Sequence, residues 1–169
     1  RGDARKIPPN AKDRVAKIND IVNNLANKIS TPNRVREIKD ILEVPNKNPT
    51  RVDNGMIVDV YVQQGNKEYY FEIKTVGPNI RGFRSHKEQV LTWVARADKE
   101  IHAALVLPYN PYLPKPYKRP GSEIMDLGED LLVGKDFWDI LGGKGCYEDI
   151  EDAFQRIGGK YWKKLSSKF

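Results

Sequence analysis

The sequence predicts an α/β (α+β) domain, a mixed β-sheet flanked by helices, and three stretches carry that prediction. Apolar residues recur at helical spacing over residues 12–29, alternate with polar ones over residues 56–75, and run almost unbroken over residues 102–107.

In the first stretch Val15, Ile18, Ile21, Val22, Leu25 and Ile29 share one face of an amphipathic helix. Thr31-Pro32 supplies a cap and a first-turn proline for a second helix marked by Val35, Ile38, Ile41 and Leu42, which ends before Pro45. Residues 45–54 are polar and read as a loop, and no convincing strand precedes residue 55. The alternating stretch then splits at Gly65-Asn66, a dipeptide suited to a two-residue hairpin turn because glycine accepts a positive φ. Residues 76–84 read as a glycine-containing basic loop. A helix over 85–99 follows, with Ser85 and Glu88 as its capping box and Val90, Leu91, Val94 and Ala95 on one face. His102–Leu107 has the pattern of a strand covered on both faces. The prolines and tyrosines of residues 108–120 exclude regular structure and indicate a semi-rigid loop. From Phe137-Trp138 onward, short helices are expected, separated at Gly142-Gly143 and Gly158-Gly159.

A chain of 169 residues is the size of one domain and buries a core without disulfides. Its 29 Lys and Arg against 23 Asp and Glu give a net charge of +6, which favours encounter with a polyanion and makes nucleic acid the leading partner. The same excess also serves plain solubility. Cys146 is the single cysteine, so an intrachain disulfide is excluded and a reducing, cytoplasmic setting is expected. No apolar run reaches the length of a membrane span. The first residue is arginine, so the chain is open to being a fragment of a longer one.

The hairpin places the chemistry. With Gly65 and Asn66 at its centre, Gln64 pairs with Lys67, Val62 with Tyr69, Val60 with Phe71, and Asp59 with Glu72. Directly opposed residues have Cβ atoms roughly 4.5–5.5 Å apart. Lys74 lies on the face of Glu72, two residues along the strand. Val58, Val60, Val62, Phe71 and Ile73 fall on the other face and form the core side. Two carboxylates so placed can share one hard cation, with the Ile73 backbone carbonyl as a third oxygen, and Mg²⁺ is the natural candidate. The alternative is a solvent-facing charged face on which Lys74 neutralises Glu72.

Asp59, a hairpin, then Glu72-Ile73-Lys74 resembles the D…(D/E)xK signature of the PD-(D/E)xK nuclease superfamily, over about residues 32–107. Val58 stands where proline would precede the aspartate. The resemblance implies a restriction-endonuclease-like αβββαβ core. It also implies that Asp59 and Glu72 hold metal, and that Lys74 positions or activates the attacking water. A helical glutamate often joins such a site; Glu37 or Glu43 is available, Glu37 being preferred because Ile38, Ile41 and Leu42 place one face in the core, while the role favoured for it is a solvated helix charge. The run Glu72–Asn79, with the later Phe137-Trp138-Asp139, more narrowly resembles TdeIII-like type II restriction endonucleases. That likeness implies double-stranded DNA as substrate and a homodimer matched to a two-fold site. Junction resolvases and repair or defence nucleases share the core, and a non-catalytic DNA-binding module is the rival outside enzymes.

Arg81, Arg84 and Lys87 follow the active strand and could reach phosphates, while Asn79 and Gln89 could contact bases or backbone; an ordinary charged loop is the alternative. Tyr109, Tyr112, Lys115, Tyr117, Lys118 and Arg119 suit groove contacts, a subunit interface or a loop pinned on the core. Lys160–Lys164 repeats that basic-aromatic mix as a terminal amphipathic helix. His86 and His102 lack partners at zinc-ligand spacing. The glycines lack phosphate-loop or dinucleotide-binding order, so no nucleotide cofactor is expected.

Overall fold

Helix α1 (Lys12–Ala26) buries Ile18, Ile21, Val22 and Leu25, the i, i+3, i+4, i+7 stripe of the sequence. These coordinates are a computed structural model describing residues 11–47, 58–75, 77–97, 99–118 and 120–166, with side chains to residue 160. Val15 and Ile29, expected on the same stripe, are exposed, and Ile29 lies beyond the helix end. Arg14 is buried in their stead, its guanidinium donating to the carbonyls of Val44 (2.7 Å) and Ala95 (2.6 Å). Helix α2 (Arg34–Leu42) is capped by Asn33 rather than Thr31. The Asn33 side chain accepts from Arg36 N at 2.9 Å, and Glu37 Oε1 accepts from Asn33 N at 3.1 Å. Val35, one of the apolar residues that mark this helix in the sequence, is exposed. The expected loop over residues 45–54 lies partly outside the described residues.

Strands β1 (Val60–Gln64) and β2 (Lys67–Ile73) form the antiparallel hairpin in the expected register, Val60 opposite Phe71 and Gln64 opposite Lys67. Gly65 takes the positive φ, +60°, that the turn requires. Helix α3 (Ile80–Ala97) then carries the chain to β3 (His102–Leu107), parallel to β2, and β4 (Leu131–Val133) adds a second parallel pairing. The sheet order is β1-β2-β3-β4. A three-residue strand such as β4 is too short to show a period and is not legible in the sequence.

Helix α3 begins five residues earlier than expected. Asn79 is its cap, the Asn79 Oδ1 accepting from Gly82 N at 2.9 Å, and Ser85 lies inside the helix. Both faces of the sheet are covered. Helix α3 packs on β3, α1 and α2 pack on α3, and Tyr70, Trp93, Ala103 and Leu105 are buried in the core they share. Helix α4 (Lys135–Gly142) brings Phe137 against Phe71, Ala104, Val106 and Leu132 on the other side. The hairpin face that bears Glu72 is therefore not a solvated polar face, and Tyr70 beside it is buried. Val58 joins the α1–α3 side rather than the side of Val60, because regular pairing stops at Val60. Helix α5 (Cys146–Ser166) runs straight through Gly158-Gly159, where a break was expected. No helix among the described residues is long and apolar enough to cross a membrane.

Candidate active site

The open end of the hairpin, where β2 leaves the antiparallel pairing, gathers Asp59, Glu72, Ile73 and Lys74. Asp59 stands at a bend one residue before β1, exposed, and its Oδ2 accepts a hydrogen bond from Ile73 N at 3.0 Å. Asp59 is thus one step outside the ladder in which direct opposition to Glu72 was expected, yet its carboxylate is fixed to the backbone of the next residue. Glu72 is buried, and Lys74 Nζ donates to its Oε1 at 2.5 Å. The second oxygen, Glu72 Oε2, accepts from Gln89 Nε2 of α3 at 3.2 Å, and Gln89 Oε1 lies 3.2 Å from His86 Nδ1. Lys74 N donates to Val106 O at 2.9 Å, which carries the parallel pairing with β3 past the end of β2.

Burial of Glu72 among donors keeps one orientation of its carboxylate, while the exposed Asp59 leaves the site open on one side. Among the described residues no cluster of three or more His, Cys, Asp or Glu side chains could hold a metal. Two carboxylates and one carbonyl are what a small hard cation needs when water and a substrate phosphate supply its remaining ligands. The donor set Asp59, Glu72 and the Ile73 carbonyl therefore fits Mg²⁺ and would suit neither zinc nor a closed calcium cage.

Glu37 does not join this group. It is buried on α2, with Oε2 2.5 Å from Lys87 Nζ, and burial pushes its carboxyl up against the pull of that ammonium. Lys87 is 0% exposed and also pairs with Asp130. It has no path to a phosphate, so its expected role in DNA contact is replaced by a structural one. Arg34 Nη1 closes the network on Asp130 Oδ1 at 2.7 Å. Burial alone would raise the Asp130 carboxyl, but Lys87 and Arg34 together hold it below the ordinary range. Asp130 gave no signal in the sequence because its partners are 43 and 96 residues away.

Asn79, expected as a base or backbone contact, has its side-chain oxygen engaged as the α3 cap. Arg81 and Arg84 are exposed, as expected, but sit on the first turns of α3 rather than in a loop. Arg84 Nη2 reaches Asn23 Oδ1 on α1 at 3.3 Å. Gln89 faces Glu72, so its first partner is the candidate centre itself. Gln89 falls inside the expected helix as well, and its role escaped the sequence because its partner lies 17 residues away on another element.

The family model of the type II restriction endonuclease HinfI matches residues 5–158. The chain belongs to the HinfI family of type II restriction endonucleases. That family is a restriction-endonuclease family, as expected, and goes under a different name from the TdeIII-like one suggested by Glu72–Asn79 and Phe137-Trp138-Asp139. The chain is also similar to the type II restriction enzyme MjaII of Methanocaldococcus jannaschii, 28% identical over 157 residues, with 82% of this chain and 41% of that protein covered. This HinfI-family chain thus spans less than half the length of that relative. No solved structure matches it.

Proposed function

We propose that the chain is the nuclease part of a Mg²⁺-dependent type II restriction endonuclease of the PD-(D/E)xK class, hydrolysing phosphodiester bonds of double-stranded DNA at a specific site and acting as a homodimer. Family membership supports the reaction class. The observation that carries the assignment to residues is the convergence of Asp59, through its bond to Ile73 N, on the Glu72-Ile73-Lys74 segment.

In this reading Asp59, Glu72 and the Ile73 carbonyl would hold Mg²⁺, which when bound would supply charge stabilisation to a phosphate and a lowered pKa for a bound water. Lys74, partly exposed and 2.5 Å from Glu72 Oε1, orients the attacking water and offsets negative charge developing on the phosphate. Gln89 holds the second Glu72 oxygen so that the carboxylate cannot swing. Arg81 and Arg84 give the backbone of the duplex two cations on α3.

Incubation of the purified chain with plasmid DNA tests this directly. Cleavage at fixed sites in Mg²⁺, none in EDTA, and identical ends on sequencing are expected. Preferential cutting of branched or single-stranded DNA would replace the restriction reading with that of a resolvase or repair nuclease.

A further inference from the structure

The loop that follows β3 leaves the sheet at the same edge as the candidate centre. β2 and β3 are parallel, Ile73 pairs with Val106, and Lys74 N donates to Val106 O, so the chain after Leu107 emerges beside Lys74. The contact is continued by Gly77, at which an added Cβ would stand 3.4 Å from the Tyr117 hydroxyl oxygen. Tyr117 is buried, and Tyr112 packs on its ring with centroids 5.6 Å apart.

Beyond that anchor the loop is held by its own polar groups. Asn110 Nδ2 donates to Lys115 O at 2.7 Å, Asn110 Oδ1 accepts from Tyr112 N at 3.0 Å, and Trp138 Nε1 donates to Pro108 O at 2.8 Å. What the anchored loop presents outward is apolar and cationic: Tyr109, Tyr112 and Leu113 are 49%, 51% and 57% exposed, with Lys115 and Lys118 exposed beside them. A loop merely pinned on the core would turn these rings inward, as Tyr117 does.

We propose that residues 109–118 form a duplex-DNA reading element, in which Tyr112 and Leu113 enter a groove and Lys115 and Lys118 contact the flanking phosphates. The inference rests on the nuclease reading above, and chooses among the roles that the sequence left open for this loop. Charge selects the occupant, because exposed rings interleaved with lysines complement a polyanion with apolar base edges. Position selects it again, since a duplex whose phosphate lies at Lys74 passes along this edge. Rigidity adds that little ordering of the loop is needed on binding.

The test measures binding of the full chain to a duplex bearing its cleavage site, in Ca²⁺ to suppress cutting, across a salt series. Combined Tyr112→Ala and Leu113→Ala should weaken binding about tenfold or more with an unchanged salt slope, and narrow the preference for the site over random duplex. Combined Lys115→Ala and Lys118→Ala should flatten the slope of log affinity against log salt by about two units while the preference stays. Melting temperatures confirm that each variant is folded, which is expected because the altered side chains are exposed. A wild type that cuts its site while both variants bind and discriminate like it overturns the inference alone. Variants that bind normally but shift the subunit equilibrium assign the loop to an interface and overturn it too. A wild type that neither binds nor cuts duplex DNA overturns the nuclease reading together with it.

Discussion

The carboxylate of Asp59 accepts a hydrogen bond from the backbone nitrogen of Ile73 at 3.0 Å, although β1 begins only at Val60. This bond, rather than ladder pairing, brings the aspartate to the Glu72-Ile73-Lys74 segment, and it lets structure and chemistry be separated. Asp59→Asn keeps an oxygen for Ile73 N and loses the charge. Cleavage in Mg²⁺ should fall by about 10²–10³ or more with the melting temperature nearly unchanged. An active Asp59→Asn enzyme would remove this residue from the catalytic group.

Glu72 offers a complementary test. Its side chain is 11% exposed and that of its partner Lys74 is 39% exposed, so solvent screens the pair from the Lys74 side and the desolvation cost of the Glu72 carboxylate offsets much of the attraction. Glu72→Gln should change the stability of the metal-free protein by less than about 1 kcal/mol. If Asp59 and Glu72 hold Mg²⁺ as proposed, the folded wild type binds it and separated carboxylates do not, so Mg²⁺ should raise the melting temperature of the wild type and not of the variant. Thermal melts in EDTA and in Mg²⁺ measure both effects. Equal stabilisation of the two proteins would place the metal elsewhere.

Gln89 holds Glu72 Oε2 without reaching the reacting groups itself. Such positioning contacts are worth about 10–100-fold. Gln89→Ala should lower cleavage by that amount and raise the Mg²⁺ concentration needed for half-maximal rate, leaving DNA affinity in EDTA unchanged. A loss of DNA affinity with unaltered metal dependence would return Gln89 to the base-contact role.

Lys87 and the pair Arg81 and Arg84 were grouped by the sequence and are separated by the fold. Lys87→Met leaves Glu37 and Asp130 buried without their shared cation, a loss of about 3–5 kcal/mol measured by denaturant unfolding. Arg81→Ala with Arg84→Ala should instead leave stability within about 1 kcal/mol and flatten the salt dependence of DNA affinity by about one unit per lost phosphate contact. A stable Lys87→Met protein would contradict the buried network.

What the sequence made legible follows from local physics. Alternation and the Gly65-Asn66 turn fixed the hairpin register, because a slip of one residue would turn every side chain to the wrong face. The uninterrupted run from Ala103 to Leu107 announced a strand covered on both sides, and that strand is found. The misplaced parts depend on contacts distant in sequence. Lys87 reads as a surface cation until Glu37 and Asp130 are folded around it, and Arg14 reads as exposed until Val44 and Ala95 present their carbonyls. Ser85 and Glu88 have the chemistry of a helix start, but Asn79 has capping chemistry as well, and burial of Phe83 favours the longer helix. The candidate site was legible in Asp59, Glu72 and Lys74. Its support from Gln89 was not, since that side chain is 17 residues from Glu72 on another element and meets it only in the folded chain.

His102 sets a pH dependence with a defined sign. Burial first, and then the nearby Arg34, push its imidazole down to about 4, and its Nε2 is buried with no hydrogen-bond partner among the described residues. Between about pH 6.5 and 4 the unfolded chain binds this proton and the folded chain does not. Stability is therefore fully present above pH 6.5 and declines on acidification through that window, by roughly 1–3 kcal/mol from this group. Asp130, held low by Lys87 and Arg34 against its burial, adds a further loss below its ordinary value of 3.8. Glu37 acts in the opposite sense, because burial raises its carboxyl and protonation then favours the folded state. Comparing the wild type with His102→Phe isolates the histidine from both. The variant keeps a ring against Tyr69 and Phe71, whose centroids lie 5.5 and 6.5 Å from that of His102, and loses the titrating nitrogen. Urea unfolding at pH 7.5, 6.0, 5.0 and 4.5 should show wild-type stability falling more steeply than that of the variant. Parallel curves would mean that His102 titrates alike in the folded and unfolded chain, and that its ring nitrogen reaches water.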